Sequence, residues 1–180
     1  MNPLIQAGEI LYTSLQSPLG SVWVARSRRG VFCISIRSRT REEFVAGLGR
    51  MLKGAGLAAR EAPSALKDET RQLSEYFRGA RRSFSLPADL SSVTRFQRRA
   101  LEAAAAIPFG QVASYADLAR AIGRPGASRA VGQAMGRNPT PIIIPCHRVI
   151  ASGGKLGGFT GGSPLKRKLL QIEEGAGALL

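Results

Sequence analysis

The chain has 180 residues, with 26 lysines and arginines against 12 aspartates and glutamates, so it carries +14 with its single histidine neutral. It is long enough to bury a core in one large or two small domains, and its 44% hydrophobic content excludes a disordered chain. No stretch approaches the roughly 20 apolar residues that span a bilayer, and residues 1–16 lack the basic-then-apolar order of a signal peptide, so a soluble cytoplasmic protein is expected. The positive excess fits a polyanionic partner, since neutralised phosphates release counterions, but it equally fits a solvated basic surface.

The first elements in chain order are strands. Ile10-Leu-Tyr-Thr-Ser14, Gly20-Ser-Val-Trp-Val-Ala25 and Val31-Phe-Cys-Ile-Ser-Ile36 are short β-favouring runs, separated by the turns Ser17-Pro-Leu-Gly20 and Arg28-Arg-Gly30. They predict a small antiparallel sheet. One helix is expected from Thr40, with Glu42 and Glu43 in its first turn, and a second near Ser64 with Leu66, Leu73, Tyr76 and Phe77 on one side. Residues 79–92, with Pro87 and several serines, read as a linker, and the domains are expected at 1–87 and 88–180.

Beyond the linker an alanine-rich helix is expected over 94–107, stopped by Pro108-Phe-Gly110. Ser114-Tyr-Ala-Asp117 has the form of a capping box and predicts a short helix over 115–122. After the turn Gly123-Arg-Pro-Gly126, Ser128 is expected to cap a second short helix over 129–136. This pairing is either a helix–turn–helix or an ordinary αα-hairpin. The small residues of Arg129-Ala-Val-Gly-Gln-Ala-Met-Gly136 suit tight helix packing or close approach to a DNA groove, but packing does not explain Arg129.

The chemistry concentrates in Asn138-Pro-Thr-Pro-Ile-Ile-Ile-Pro-Cys-His-Arg-Val-Ile150. Prolines break any long strand here, yet three isoleucines are too apolar for a surface loop, so the segment must be irregular and buried. Two cysteines, Cys33 and Cys146, cannot build a disulfide framework, and one histidine leaves no Cys/His zinc site, so no metal is expected. Cys33 reads as a core residue of its strand. Cys146 is either an inert core thiol or a nucleophile, and the adjacent His147 favours the second. In an extended segment neighbouring side chains face opposite ways, so the pair needs a bridging water or a local bend. His147, Arg148 and backbone dipoles would each help by lowering the thiol pKa. The imidazole in turn needs a carboxylate, and only Glu102, Asp117, Glu173 and Glu174 follow Ser92. Glu173 and Glu174 end the helix begun by Ser163-Pro164, where the helix dipole disfavours carboxylates, so an external partner is expected for one of them. The glycine-dense loop over 152–162 lacks the GK[ST] ending of a phosphate-binding loop.

Ile144-Pro-Cys-His-Arg-Val149 resembles the active-site signature of the O6-alkylguanine-DNA alkyltransferases, the methylated-DNA–protein-cysteine methyltransferases. The likeness continues through Thr94, Phe96-Gln97, Ser114-Tyr115, Arg129-Ala-Val131, Asn138-Pro139 and Gly161-Gly162, a collinear set over about 80 residues. The first 87 or so residues match in layout only, through Ser17-Pro-Leu-Gly20 and the strands after it. The resemblance implies an α+β protein: a ribonuclease-H-like N-terminal domain with an antiparallel sheet and helices, then a mainly helical winged helix–turn–helix domain.

It further implies direct-reversal DNA repair by a monomer acting on double-stranded DNA. Cys146 would take the alkyl group of O6-alkylguanine, and of O4-alkylthymine, in a single irreversible turnover without cofactor. Glu173, His147 and a water would deprotonate Cys146, Asn138 would brace the segment, and Tyr115 would donate to the guanine ring. Arg129 would enter the base stack of the DNA as the damaged nucleotide rotates out. Gln97, Tyr115, Arg124, Ala130, Gly132, Gln133 and Ser152 would also contact DNA. Met135, Cys146 and Val149 would line the alkylguanine pocket, together with a lid of Leu156, Gly157, Gly158, Phe159 and Thr160. Thr160 would offer its hydroxyl to the modified oxygen. Phe159-Thr160 stands where relatives often carry a tyrosine and a serine, and Ala100-Leu101 where many bacterial relatives have Val-Trp.

Two other classes remain as alternatives on the residues alone. A non-catalytic helix–turn–helix protein that binds DNA or lesions shares the charge and the helices, but has no use for Cys146. A Cys-His hydrolase meets the adjacency problem and explains neither Arg129 nor the charge.

Overall fold

The computed structural model describes residues 8–177. Residues 1–7, part of the stretch read for a signal peptide, and residues 178–180 lie outside them. The chain divides into two compact units, Met1–Asp89 and Leu90–Leu180.

The first unit is built on three antiparallel strands, β1 (Glu9–Ser17), β2 (Gly20–Ser27) and β3 (Gly30–Ser35), joined by the two predicted turns. Ser17 closes the first turn by donating its hydroxyl to the Gly20 carbonyl at 2.8 Å. A fourth strand, β4 (Ala58–Glu61), runs parallel to β1 and makes the sheet mixed, in the order β3-β2-β1-β4. Ala-Ala-Arg-Glu has no strand signature and β4 is exposed throughout, so its pairing with β1, not its own side chains, defines it. Helix α1 (Arg41–Leu52) is capped by Thr40, whose hydroxyl accepts from the Glu43 amide. It buries Phe44, Leu48 and Leu52 against Ile10, Tyr12, Trp23 and Phe32 of the sheet, with Trp23 and Phe44 stacked 5.2 Å apart. Cys33 belongs to this cluster, and burial pushes its thiol up to about 12, so it is inert.

The other face of β1 packs Leu11 on Ala62 and Leu66, the latter in a 3₁₀ turn (Pro63–Leu66) that leads into α2 (Lys67–Phe77). Residues 79–89, most of the stretch 79–92 read as a linker, belong to the first compact unit. Their end is strapped to β3: Val31 N–H donates to the Pro87 carbonyl at 2.8 Å, and Asp89 N–H to the Val31 carbonyl at 2.7 Å. Gly30 admits the strap, because a Cβ there would lie 2.2 Å from the Pro87 oxygen.

In the second unit, α3 (Arg95–Ala105) is capped by Thr94 and packs on α4 (Tyr115–Ala121) and α5 (Ser128–Gly136). The capping box at Ser114 forms in both directions, at 3.1 Å from the Asp117 amide to the serine hydroxyl and 2.8 Å from the Ser114 amide to the Asp117 carboxylate. Ser128 does not cap α5: it is the first helical residue, and Ala127 precedes it with no side-chain bond. The last helix, α6 (Ser163–Gly177), runs beyond Glu174, so Glu173 lies inside it and not at its end. Among the described residues no helix is long and apolar enough to cross a membrane.

Candidate active site

Residues 139–149 are buried apart from half-buried Ile143, and the irregular path expected from their prolines is held by Asn138. Its side-chain oxygen accepts from the Thr140 amide at 3.0 Å, and its Nδ2 donates to the Ile144 carbonyl at 2.8 Å. The turn so enclosed puts Ile142 at φ 78°, a left-handed conformation that a β-branched residue rarely takes. It delivers the chain into a single 3₁₀ turn, Cys146–Arg148. This bend answers the adjacency problem: successive side chains of a 3₁₀ turn stand about 120° apart, not on opposite faces.

Directly after the turn, β6 (Val149–Ile150) pairs in parallel with β5 (Ala113–Ser114). Ser114 is also the N-cap of α4, so this two-residue ladder fixes where Tyr115 begins its helix relative to Cys146. The Tyr115 ring packs against Gly132 of α5 and Gly157 of the glycine-dense loop.

His147 Nε2 lies 2.7 Å from Glu173 Oε1, with both side chains inaccessible to solvent. Burial lowers the imidazole pKa by more than Glu173 raises it, so the neutral ring donates from Nε2 and the contact is a hydrogen bond. Burial would raise the Glu173 carboxyl, but donation from His147, Arg148 and the Gly110 amide outweighs it and brings it down to about 2. Arg148 grips Glu173 at two points, Nε to Oε2 at 2.9 Å and Nη2 to Oε1 at 3.0 Å, and donates from Nη1 to the Ile107 carbonyl at 2.6 Å. Arg148 therefore serves the carboxylate and not the thiol, contrary to the expectation above.

Burial pushes the Cys146 thiol up to about 11. Asn138, Lys166 and the backbone N–H groups of Cys146 and His147 act against that push. Lys166 carried no expectation. It shares a helix face with buried Leu169 and Glu173, three and seven residues on, and that spacing is the signal that could have found it. Ile107 was read only as the end of a helix and Gly110 only as part of its stop, yet both hold the buried pair.

An open cleft of about 760 Å³ borders this region. Tyr115, Arg129, Gly132, Gln133 and Ser152 line it, as do Gly158, Phe159 and Thr160 of the lid. Met135, Cys146 and Val149 are buried and outside its lining, and Leu156 and Gly157 are half-buried outside it. Gln97 donates to the Arg137 carbonyl at 3.0 Å, Arg124 is exposed on the turn between α4 and α5, and Ala130 is half-buried on α5. The two hydroxyls expected to meet a base are engaged elsewhere. Tyr115 donates to the Gly158 carbonyl at 3.0 Å and Thr160 to the Gly136 carbonyl at 2.6 Å, which pins the lid to α4 and α5.

A helix–turn–helix beside a buried thiol, backed by an imidazole and a carboxylate, defines a protein whose chemistry centres on one cysteine. Residues 95–175 match the DNA binding domain of 6-O-methylguanine DNA methyltransferase, and residues 10–90 match its ribonuclease-like domain. The chain is 38% identical to the constitutive methylated-DNA–protein-cysteine methyltransferase of Bacillus subtilis, over 90% of this chain and 94% of that one. It is 47% identical to the Mycobacterium tuberculosis protein of the same name, over 62% of this chain and 67% of that one. The crystal structure of M. tuberculosis O6-methylguanine methyltransferase superposes with a TM-score of 0.78 at 36% identity, covering 93% of this chain and 94% of that one. A structure of the M. tuberculosis protein in complex with DNA gives 0.77 at 36%, covering 92% and 94%. The chain belongs to the 6-O-methylguanine DNA methyltransferase family.

Proposed function

We propose that the protein repairs O6-alkylguanine in double-stranded DNA by moving the alkyl group onto Cys146. The observation that carries this reading is the buried Glu173–His147 hydrogen bond beside Cys146. With Nε2 committed to Glu173, Nδ1 is the nitrogen that accepts a proton, and a water carries it there from the Cys146 thiol. The thiolate then attacks the alkyl carbon. A C–S bond forms, the bond from that carbon to O6 breaks, and the electron pair leaves on the guanine, whose developing charge the Tyr115 hydroxyl meets by donation. The resulting thioether is not hydrolysed, so each molecule acts once and needs no cofactor. O4-alkylthymine presents the same alkyl–oxygen bond and is a second substrate.

Arg129 is exposed at the start of α5, where it can enter the base stack as the damaged nucleotide turns into the cleft. Gln97, Arg124, Ala130, Gly132, Gln133 and Ser152 lie along the contacting surface. The Tyr115 and Thr160 hydroxyls must leave the Gly158 and Gly136 carbonyls before they can meet a base. The guanine then sits among Met135, Cys146, Val149 and residues 156–160. On this reading the protein works as a monomer on DNA in the cytoplasm. Incubation with a duplex containing O6-methylguanine tests it: the lesion should vanish while the peptide holding Cys146 gains the mass of one CH2. Loss of the lesion with Cys146 unmodified, or binding of the duplex with no transfer, defeats the reading.

A further inference from the structure

Among the described residues Lys166 is the one lysine with no exposed surface, and its amine sits within the active-site unit with no carboxylate among its hydrogen-bond acceptors. Burying an ammonium works against stability, and a methionine would fill much the same space. Its position is explained by what it holds. Nζ donates to the Val149 carbonyl and to the Leu156 carbonyl, each at 2.5 Å, and lies 3.5 Å from the Gly158 carbonyl. These are three acceptors for the three N–H donors of an ammonium. One belongs to the strand that follows the Cys146 turn, and two belong to the lid. The Gly158 carbonyl is also the one that the Tyr115 hydroxyl occupies, and the amine lies 5.9 Å from the centre of the Tyr115 ring. Gly157 between them has φ +69°, and a Cβ there would come 3.0 Å from the Tyr115 ring, so this stretch of lid has little freedom to rearrange.

We propose that Lys166 is a positioning residue that clamps the lid to the Cys146 segment. It keeps the Gly158 carbonyl when Tyr115 turns its hydroxyl to the base. The inference rests on Cys146 being the acceptor and on Tyr115 donating to the base. Lys166 explains how Tyr115 can leave the lid without releasing it. The ionisable groups it faces are Cys146, His147 and Tyr115; Cys146 favours its charged form, while burial opposes it and lowers the amine to about 8.

The test compares the wild-type chain with Lys166→Met and Lys166→Arg. Exchange of the lid amides at 156–160 is followed by NMR. Lys166→Met should exchange its lid amides at least tenfold faster, and Lys166→Arg should restore part of the protection. A folded Lys166→Met protein with wild-type lid protection overturns the proposal, since a lysine that only packs would give that result. If Lys166→Met does not fold, the wild type decides. Slowly exchanging Nζ protons with nuclear Overhauser contacts to the lid support the clamp, and their absence refutes it. None of these readouts uses DNA, so failure of methyl transfer would be scored separately against the acceptor reading.

Discussion

Arg148 and Glu173 form a buried two-point pair from a 3₁₀ turn to a helix, and His147 and the Gly110 amide occupy the same carboxylate. Four donors on one carboxylate make it both an anchor for the turn and a fixed negative charge behind the imidazole. Removing the charge leaves Arg148 buried without a counter-ion. Glu173→Gln should therefore cost about 3 kcal/mol, a fall of roughly 10 °C in Tm for a chain of this size, together with loss of methyl transfer. Because the folded-state pKa of Glu173 is depressed to about 2, its contribution is full above the ordinary carboxylate range. It fades as the pH falls toward that value. Urea titrations at several acidic pH values should show this loss in the wild type and not in Glu173→Gln.

The rate of transfer should report the imidazole and not the thiol. Cys146 titrates near 11 and is protonated across the physiological range, whereas the His147 pKa is lowered by burial. Single-turnover rates should be flat from about pH 7 to 8.5 and fall only below the ordinary imidazole range, where the imidazolium can no longer accept the proton. A rate that climbs tenfold per pH unit from 7 upward would mean that the free thiolate reacts without the relay.

Ile142 should reverse the usual order of alanine and glycine. Both substitutions remove the same buried side chain, but only glycine takes φ 78° without strain. Ile142→Gly should be more stable than Ile142→Ala by about 1 kcal/mol, read from their denaturation midpoints.

Gly30→Ala should damage the first unit far more than an exposed glycine would, since its Cβ would meet the Pro87 carbonyl at 2.2 Å. The expected loss is about 3 kcal/mol or more, accompanied by faster amide exchange at Val31 and Asp89. Gly20→Ala is the control: its φ is also positive, but nothing lies within 4 Å of a Cβ there.

What could be read in the residues was whatever local rules dictate. The Ser114–Asp117 box announces its helix because capping is a short-range exchange of hydrogen bonds, whereas Thr40 and Thr94 were read only as helix starts and prove to be caps. The three antiparallel strands follow from β-favouring runs and the turns between them. The parallel strand β4 was invisible because Ala58 to Glu61 earns its place only through pairing with β1. In the site, Cys146, His147 and Glu173 stand out by chemical type and scarcity. The contributions of Ile107 and Gly110 do not, since each acts through a backbone group whose reach depends on how α3 ends. Arg148 was legible as a nearby charge but not as Glu173's partner, because the 3₁₀ turn decides which way it points. Lys166 hid in a basic run that resembles any solvated helix face.

The strap at 87–89 has a consequence for the sheet as a whole. A sheet edge with unpaired amides and carbonyls invites strands from other molecules. On one side, β4 is short and carries Arg60 and Glu61, which bond Glu9 and Arg41 at 2.7 Å each. On the other, Ala88 bridges Val31 and Asp89 holds the Ser27 hydroxyl at 2.5 Å, so β3 is not left open. Both margins are guarded, one by charge and one by the chain itself. A fragment ending before residue 87 would uncover β3 and should self-associate where one ending at residue 90 stays dispersed.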